Sequence, residues 1–100
     1  SQPSMLGSIL ANFATHGSAT EAYAHSWRRI HKHLRDLPGK PLVAGHSMGG
    51  ALAMQIGLYS HQLIECIYAF NPPVPNLRDY LFYHQMSEKN REKIQVVANL

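Results

Sequence analysis

The sequence predicts an α/β fold with a parallel β-sheet, and two observations lead to this prediction. Short apolar segments rich in β-branched and aromatic residues alternate with longer segments, the first of which repeats its apolar residues every three or four positions. Strands that alternate with helices of this length pair in parallel through right-handed crossovers. Because the strands are mainly apolar, helices are expected on both faces of the sheet, which makes a three-layer α/β/α arrangement.

The first predicted helix covers residues 20–37. Its apolar residues are spaced four, three, four and three positions apart, which places them along one side of a helix. These residues are Tyr23, Trp27, Ile30, Leu34 and Leu37. Pro38 discourages continuation of the helix and Gly39 permits the chain to reverse. The preceding segment, PSMLGSILANF, is compatible with either a strand or a loop.

Three strands and two further helices are predicted after this first helix. The strands lie at about residues 41–46, 63–70 and 94–99. The helices lie at residues 48–60 and 77–93, and Asn76 is expected to cap the second of these. Between the second strand and this helix, NPPVPN excludes regular structure, because its three prolines remove backbone donors and restrict the backbone angles.

Composition limits the class of protein to a globular chain of one domain or part of one. The chain has 100 residues, of which 45% are hydrophobic, and none of its apolar runs approaches the roughly 20 residues of a membrane span. Cys66 is the single cysteine, so an internal disulfide is excluded, and its place in an apolar strand predicts a small packing residue.

The net charge of +3 is concentrated in one segment, Arg28 to Lys40. This segment is predicted to be the solvated face of a helix. It lacks a nucleic-acid-binding motif, so no nucleic acid is expected as a partner. A peripheral contact with an anionic membrane surface is left open.

No metal or organic cofactor is predicted. His31 and His33 are two positions apart, which places them on different faces of a helix. No set of carboxylates or thiolates accompanies them. Together with His25, they are predicted to be surface histidines.

The most specific motif is GHSMGG at residues 45–50. G-x-S-x-G between an apolar strand and a helix of small residues is typical of a nucleophile elbow, a sharp turn that lifts the serine hydroxyl above the sheet. The motif predicts Ser47 as a catalytic nucleophile and the backbone N–H of Met48 as an oxyanion-hole donor. The alternative is an ordinary turn with a passive serine. The flanking residues are expected to shape the turn; they are Gly45, His46, Gly49 and Gly50.

The segments VAGHSMGGALA, IYAFNPPVPN and KIQVVANL resemble the class 3 lipase family, which has the α/β-hydrolase fold. The resemblance covers most of the chain from about His16 onward. It implies an ester hydrolase that forms an acyl-enzyme on Ser47, with a lipid or a small ester as substrate. Residues 1–100 would then be the nucleophile-bearing portion of a single hydrolase domain. The sequence departs from the family pattern at Asn71, where glycine is common, and lacks the family's arginine nearby.

A serine nucleophile also needs a histidine base and an acid, which follow the serine in the order acid and then histidine in this fold. Glu65 lies within the second predicted strand, and Asp79 and His84 diverge on one predicted helix. The resemblance places the acid after the third strand, beyond Leu100, with the histidine further on and the second oxyanion donor before Ser1. The chain alone is therefore expected to be inactive and to need the remainder of the hydrolase domain.

Two other functions remain open at this point. The chain could belong to a noncatalytic binding or regulatory module that retains the elbow. It could also belong to a serine acyltransferase, in which an alcohol replaces water as the acceptor of the acyl group.

Overall fold

The computed structural model describes residues 19–98, so PSMLGSILANF and Asn99, the last residue of the third predicted strand, lie outside the described residues. The helices are α1 (Ala19–Asp36), α2 (Met48–Tyr59), α3 (Leu77–Gln85) and α4 (Glu88–Arg91), and the strands are β1 (Leu42–His46), β2 (Cys66–Phe70) and β3 (Ile94–Val97). Among residues 19–98, no helix has the length and apolar character that crossing a bilayer requires.

The three strands form a parallel sheet in the order β1-β2-β3, as the alternation of strands and helices predicts. In the register of this sheet, Ala69 lies between Gly45 and Val96. The pairing continues past the strand ends, because the Asn71 N–H donates to the Val97 carbonyl oxygen at 2.8 Å. The carboxyl ends of all three strands therefore meet at one edge of the sheet.

Helix α2 lies across the sheet at the centre of the core. Leu52 and Ile56 of α2 are buried in one apolar cluster with Ile67 and Ile94 of the sheet. A Cβ atom at Gly57 would lie 2.9 Å from side-chain atoms of both isoleucines, so the glycine permits the close approach of helix and sheet.

Helix α1 packs on α2 through the apolar side predicted from its spacing. Ile30 and Leu34 are buried, whereas Trp27 is 42% exposed and Ser26 is buried one position earlier. In residues 19–98, α2 packs on one face of the sheet and α1 and α3 pack on α2, whereas Leu42 on the opposite face is exposed. This part of the chain therefore has two of the three expected layers.

Two element boundaries differ from those predicted. Strand β2 begins at Cys66 rather than at residue 63, because His61–Leu63 forms a 3₁₀ turn. The helix predicted at residues 77–93 is divided, since the chain becomes extended at Met86 and Ser87 caps α4 by accepting a hydrogen bond from the Asn90 N–H at 3.2 Å. The predicted cap of α3 is confirmed, because Asn76 Oδ1 accepts a hydrogen bond from the Asp79 N–H at 2.8 Å.

His31 is not the surface residue predicted from the sequence. Its Nε2 lies 2.6 Å from Ser60 Oγ, and the Tyr23 hydroxyl lies 2.6 Å from the same oxygen. Ser60 is only 1% exposed, so the three side chains join α1 to the end of α2 through a buried hydroxyl. His25 and His33 are exposed, as predicted.

The stability of the fold is expected to fall as the pH drops from 7.5 to 5. Burial lowers the pKa of His31 and of His61 below the ordinary 6.5, with smaller effects from Arg35 and Lys93 respectively. The unfolded chain therefore binds protons first as the pH falls through 6.5, which draws the equilibrium toward the unfolded state. Urea denaturation at pH 7.5, 6.5 and 5.5 measures this trend. His31→Gln should weaken the dependence of the free energy of unfolding on pH, whereas His33→Gln should leave it unchanged. If the free energy of unfolding of His31→Gln varied with pH as in the unsubstituted protein, the explanation would be contradicted.

Candidate active site

Ser47 occupies the single position between β1 and α2, and its backbone is strained. Its φ of 57° and ψ of −118° lie outside the regions that residues with a side chain ordinarily adopt. Such conformations cost about 1–3 kcal/mol and persist where the surrounding structure enforces them. The Ser47 side chain is exposed and makes no capping hydrogen bond to α2. Ser47 therefore does not cap α2, although capping is the usual role of a serine at the start of a helix.

Two hydrogen bonds hold the Ser47 backbone in this conformation. Its N–H donates to the Phe70 carbonyl oxygen at 2.8 Å, which extends the pairing of β1 and β2 by one residue. Its carbonyl oxygen accepts from the Ala51 N–H at 3.1 Å, which starts the hydrogen-bonding pattern of α2. The turn is therefore fixed by the sheet on one side and by the helix on the other.

Glycines at two positions of the motif make the sharp turn sterically feasible. A Cβ atom at Gly45 would lie 2.1 Å from the Gly49 carbonyl oxygen, which is far inside contact distance. A Cβ atom at Gly50 would lie 3.2 Å from the Gly45 carbonyl oxygen and 3.3 Å from Pro72 Cβ. Gly45 and Gly50 thus let α2 lie against β1; a comparable role for Gly49 stays a prediction.

Met48 is the first residue of α2 and immediately follows Ser47. The N–H groups of the first helical turn have no carbonyl partner within the helix and carry its positive partial charge. The first turn of α2 contains no acidic residue that would offset this charge. The start of α2 can therefore stabilise a negative charge that develops next to the Ser47 hydroxyl.

His46 and Asn71 lie at the carboxyl ends of the strands beside Ser47. His46 pairs with Phe70 in the sheet and its side chain is exposed; its support of the turn stays a prediction. Asn71 has a φ of 47°, which is in the left-handed region. Asparagine tolerates this region better than other residues with a side chain, which accounts for a residue other than glycine at this position.

Asp79, one of the acids downstream of Ser47, is engaged elsewhere. It is 4% exposed, and its carboxylate accepts hydrogen bonds from Gln55 Nε2 and, at 2.5 Å, from the Tyr59 hydroxyl. Burial and the Asp79 carboxylate raise the pKa of Tyr59 to about 12, although Arg78 acts in the opposite direction. The network joins α2 to α3. No signal in the sequence indicated it, because its members are 20 and 24 positions apart.

The other downstream groups also lie apart from Ser47. The His84 ring packs against Tyr80 with 4.4 Å between ring centroids. His61 follows the end of α2, which is 12 residues or about 18 Å long, so it lies at the opposite end of this helix from Ser47. Glu65 is exposed just before β2, where its N–H donates to the Pro41 carbonyl oxygen at 2.9 Å. The structure brings none of these residues to the elbow.

An apolar groove of about 420 Å³ includes Pro72 in its lining. Pro72 also adjoins the turn, because its Cβ would lie 3.3 Å from a Cβ atom at Gly50. Met54 of α2, Tyr83 of α3 and Val96 of β3 line its walls. The groove can accept an apolar group close to the carboxyl ends of the strands.

Comparison with known proteins gives a family-level result. A model of the alpha/beta hydrolase family matches residues 6–93. Neither a curated protein nor a solved structure matches the chain. The match includes the elbow and all of β1 and β2, and it concerns the alpha/beta hydrolases in general rather than the class 3 lipases in particular.

Proposed function

Because the chain belongs to the alpha/beta hydrolase family, we propose that it carries the nucleophile of a serine ester hydrolase. The observation that carries the proposal is the backbone of Ser47, whose positive φ is held by hydrogen bonds on both sides. The residue is exposed, and its side chain makes no capping hydrogen bond. An ordinary surface turn has no need of such strain, whereas a nucleophile elbow uses it to present the hydroxyl.

In the proposed reaction the Ser47 oxygen adds to the carbonyl carbon of an ester. The hydroxyl proton passes to a histidine base, and the carbonyl oxygen becomes an oxyanion that the Met48 N–H stabilises. Collapse of this intermediate releases the alcohol, which takes up the proton, and leaves the acyl group on Ser47. Water then attacks the acyl-enzyme, releases the carboxylic acid and restores the serine. The proposal assigns neither the base nor the acid to His61, His84, Glu65 or Asp79, because these residues lie away from Ser47.

A more specific proposal for the type of ester hydrolase is a lipase or esterase similar to the class 3 lipases. The apolar groove lined in part by Pro72 supports an ester with an apolar acyl group, because burial of such a group is favourable. Comparing the hydrolysis of p-nitrophenyl acetate and p-nitrophenyl octanoate by the intact protein tests this preference. A higher kcat/KM for the acetate would contradict the assignment of an apolar acyl group.

Labelling by a fluorophosphonate probe is expected to require Ser47. The intact protein should become labelled and Ser47→Ala should not, because the probe reacts only with an activated hydroxyl. Ser87→Ala is the matched control, since Ser87 is an exposed serine that caps a helix. Its labelling should equal that of the unsubstituted protein. Labelling of Ser47→Ala at the same rate would show that another residue is the nucleophile.

The same protein and assays distinguish the two alternative functions, a noncatalytic module and a serine acyltransferase. An intact, folded protein that neither reacts with the probe nor hydrolyses esters would be a noncatalytic module. A protein that transfers the acyl group to an added alcohol faster than to water would be an acyltransferase.

A further inference from the structure

The outer side of α1 carries a basic stripe, which we define as Arg28, Lys32 and Arg35. These residues are exposed and follow the spacing i, i+4, i+7, so they share one side of the helix, roughly opposite the buried Ile30. Arg29 is also exposed and lies beside the stripe. One side of α1 is therefore buried against the rest of the fold, and the cations lie on the exposed side.

Among the side chains of residues 23–98, one ion pair involves the stripe. It joins Lys32 Nζ to Asp36 Oδ2 at 2.7 Å, and no carboxylate of these residues lies at ion-pair distance from Arg28 or Arg35. The negative end of the helix dipole favours a cation near Arg35 in the last turn. The helix dipole does not account for Arg28 and Arg29, because these two cations lie in the middle of the helix.

Trp27 contacts one residue of this stripe. Its side chain is 42% exposed, and the Arg28 guanidinium carbon lies 5.2 Å from the centroid of its ring. Tryptophan and arginine each combine an apolar body with a polar end, and such side chains are favoured at the boundary between a bilayer and water. A partly exposed tryptophan in contact with an arginine therefore matches the chemistry of an anionic membrane surface.

We propose that the basic stripe and Trp27 form a docking surface for a bilayer that contains anionic phospholipids. The cations attract the lipid phosphates and carboxylates, and the Trp27 ring enters the headgroup region. Each cation contributes independently, so binding is weak, reversible and sensitive to salt. The proposal does not depend on the chemistry of Ser47.

Trp27 also provides the measurement, because it is the only tryptophan of the 100-residue chain. Vesicles of phosphatidylcholine with added phosphatidylserine are expected to shift its fluorescence to shorter wavelength. Vesicles of phosphatidylcholine alone should leave the spectrum unchanged, and raising the salt concentration should reverse the shift. The fraction of chain that sediments with the vesicles gives the partition coefficient.

Charge-removing variants test the stripe directly. Arg35→Gln should lower partitioning about fivefold and the Arg28→Gln/Arg35→Gln pair about 25-fold, on the scale of one cation near an anionic surface. Lys89→Gln, which removes an exposed cation of α4, should change it less than twofold. Circular dichroism verifies that each variant is folded.

Three results would overturn the proposal. The first is a Trp27 spectrum that does not respond to phosphatidylserine. The second is equal loss of partitioning in Lys89→Gln and Arg35→Gln. The third is tighter binding of the chain to duplex RNA or DNA than to the anionic vesicles at the same salt concentration, which would assign the stripe to nucleic acid.

Discussion

Replacing Gly45 with alanine is expected to lower the free energy of unfolding by about 4 kcal/mol or more. The added Cβ atom would lie 2.1 Å from the carbonyl oxygen of Gly49 and 2.4 Å from its carbonyl carbon. Both are backbone atoms at the start of α2, so no change of side-chain rotamer can relieve the overlap. The helix has to move away from β1, and the backbone of Ser47 between them loses its conformation. Thermal and urea denaturation measure the loss.

Gly39→Ala is the matched control for this prediction. A Cβ atom at Gly39 would have no atom within 4 Å, and the residue does not have a positive φ. Alanine there should leave stability unchanged or raise it by up to about 1 kcal/mol, because it restricts the unfolded chain. Similar stabilities of Gly45→Ala and Gly39→Ala would show that the turn is looser than the structure indicates.

Replacing Asp79 with alanine is expected to cost about 3 kcal/mol, the second largest effect. The substitution leaves Gln55 Nε2 and the Tyr59 hydroxyl as buried or half-buried donors without their acceptor. It also removes the negative charge that helps to raise the pKa of Tyr59 to about 12. Spectrophotometric titration should therefore show one tyrosine pKa falling toward 10, alongside the loss of stability in urea.

Asp36→Ala provides the comparison, because Asp36 is an exposed aspartate of α1 whose ion pair with Lys32 lies in solvent. Exposed ion pairs contribute little to stability, so this variant should unfold at nearly the urea concentration of the unsubstituted protein. Equal effects at the two positions would contradict the structural role assigned to the Asp79 network. So would a tyrosine titration that is the same with and without Asp79.

The sharp turn at Ser47 was predictable because it is a local feature. Glycine, serine and glycine alternate within a few residues, and the apolar strand and the small-residue helix directly adjoin them. The cap at Asn76 was predictable for the same reason, since its acceptor and donor are three residues apart. The division of the predicted helix at Met86 was missed, because a short helix capped by Ser87 continues the same charged pattern.

The sequence by itself determined the order of strands and helices, the parallel sheet and the position of Ser47 between β1 and α2. These follow from spacing and from backbone restrictions, which act over a few residues. Only the tertiary structure decided that Asp79 is buried against Gln55 and Tyr59, and that His31 meets Ser60. Those contacts join residues 20 to 29 positions apart. They arise because packing of α1, α2 and α3 buries polar groups, and a buried polar group requires a partner wherever the fold provides one.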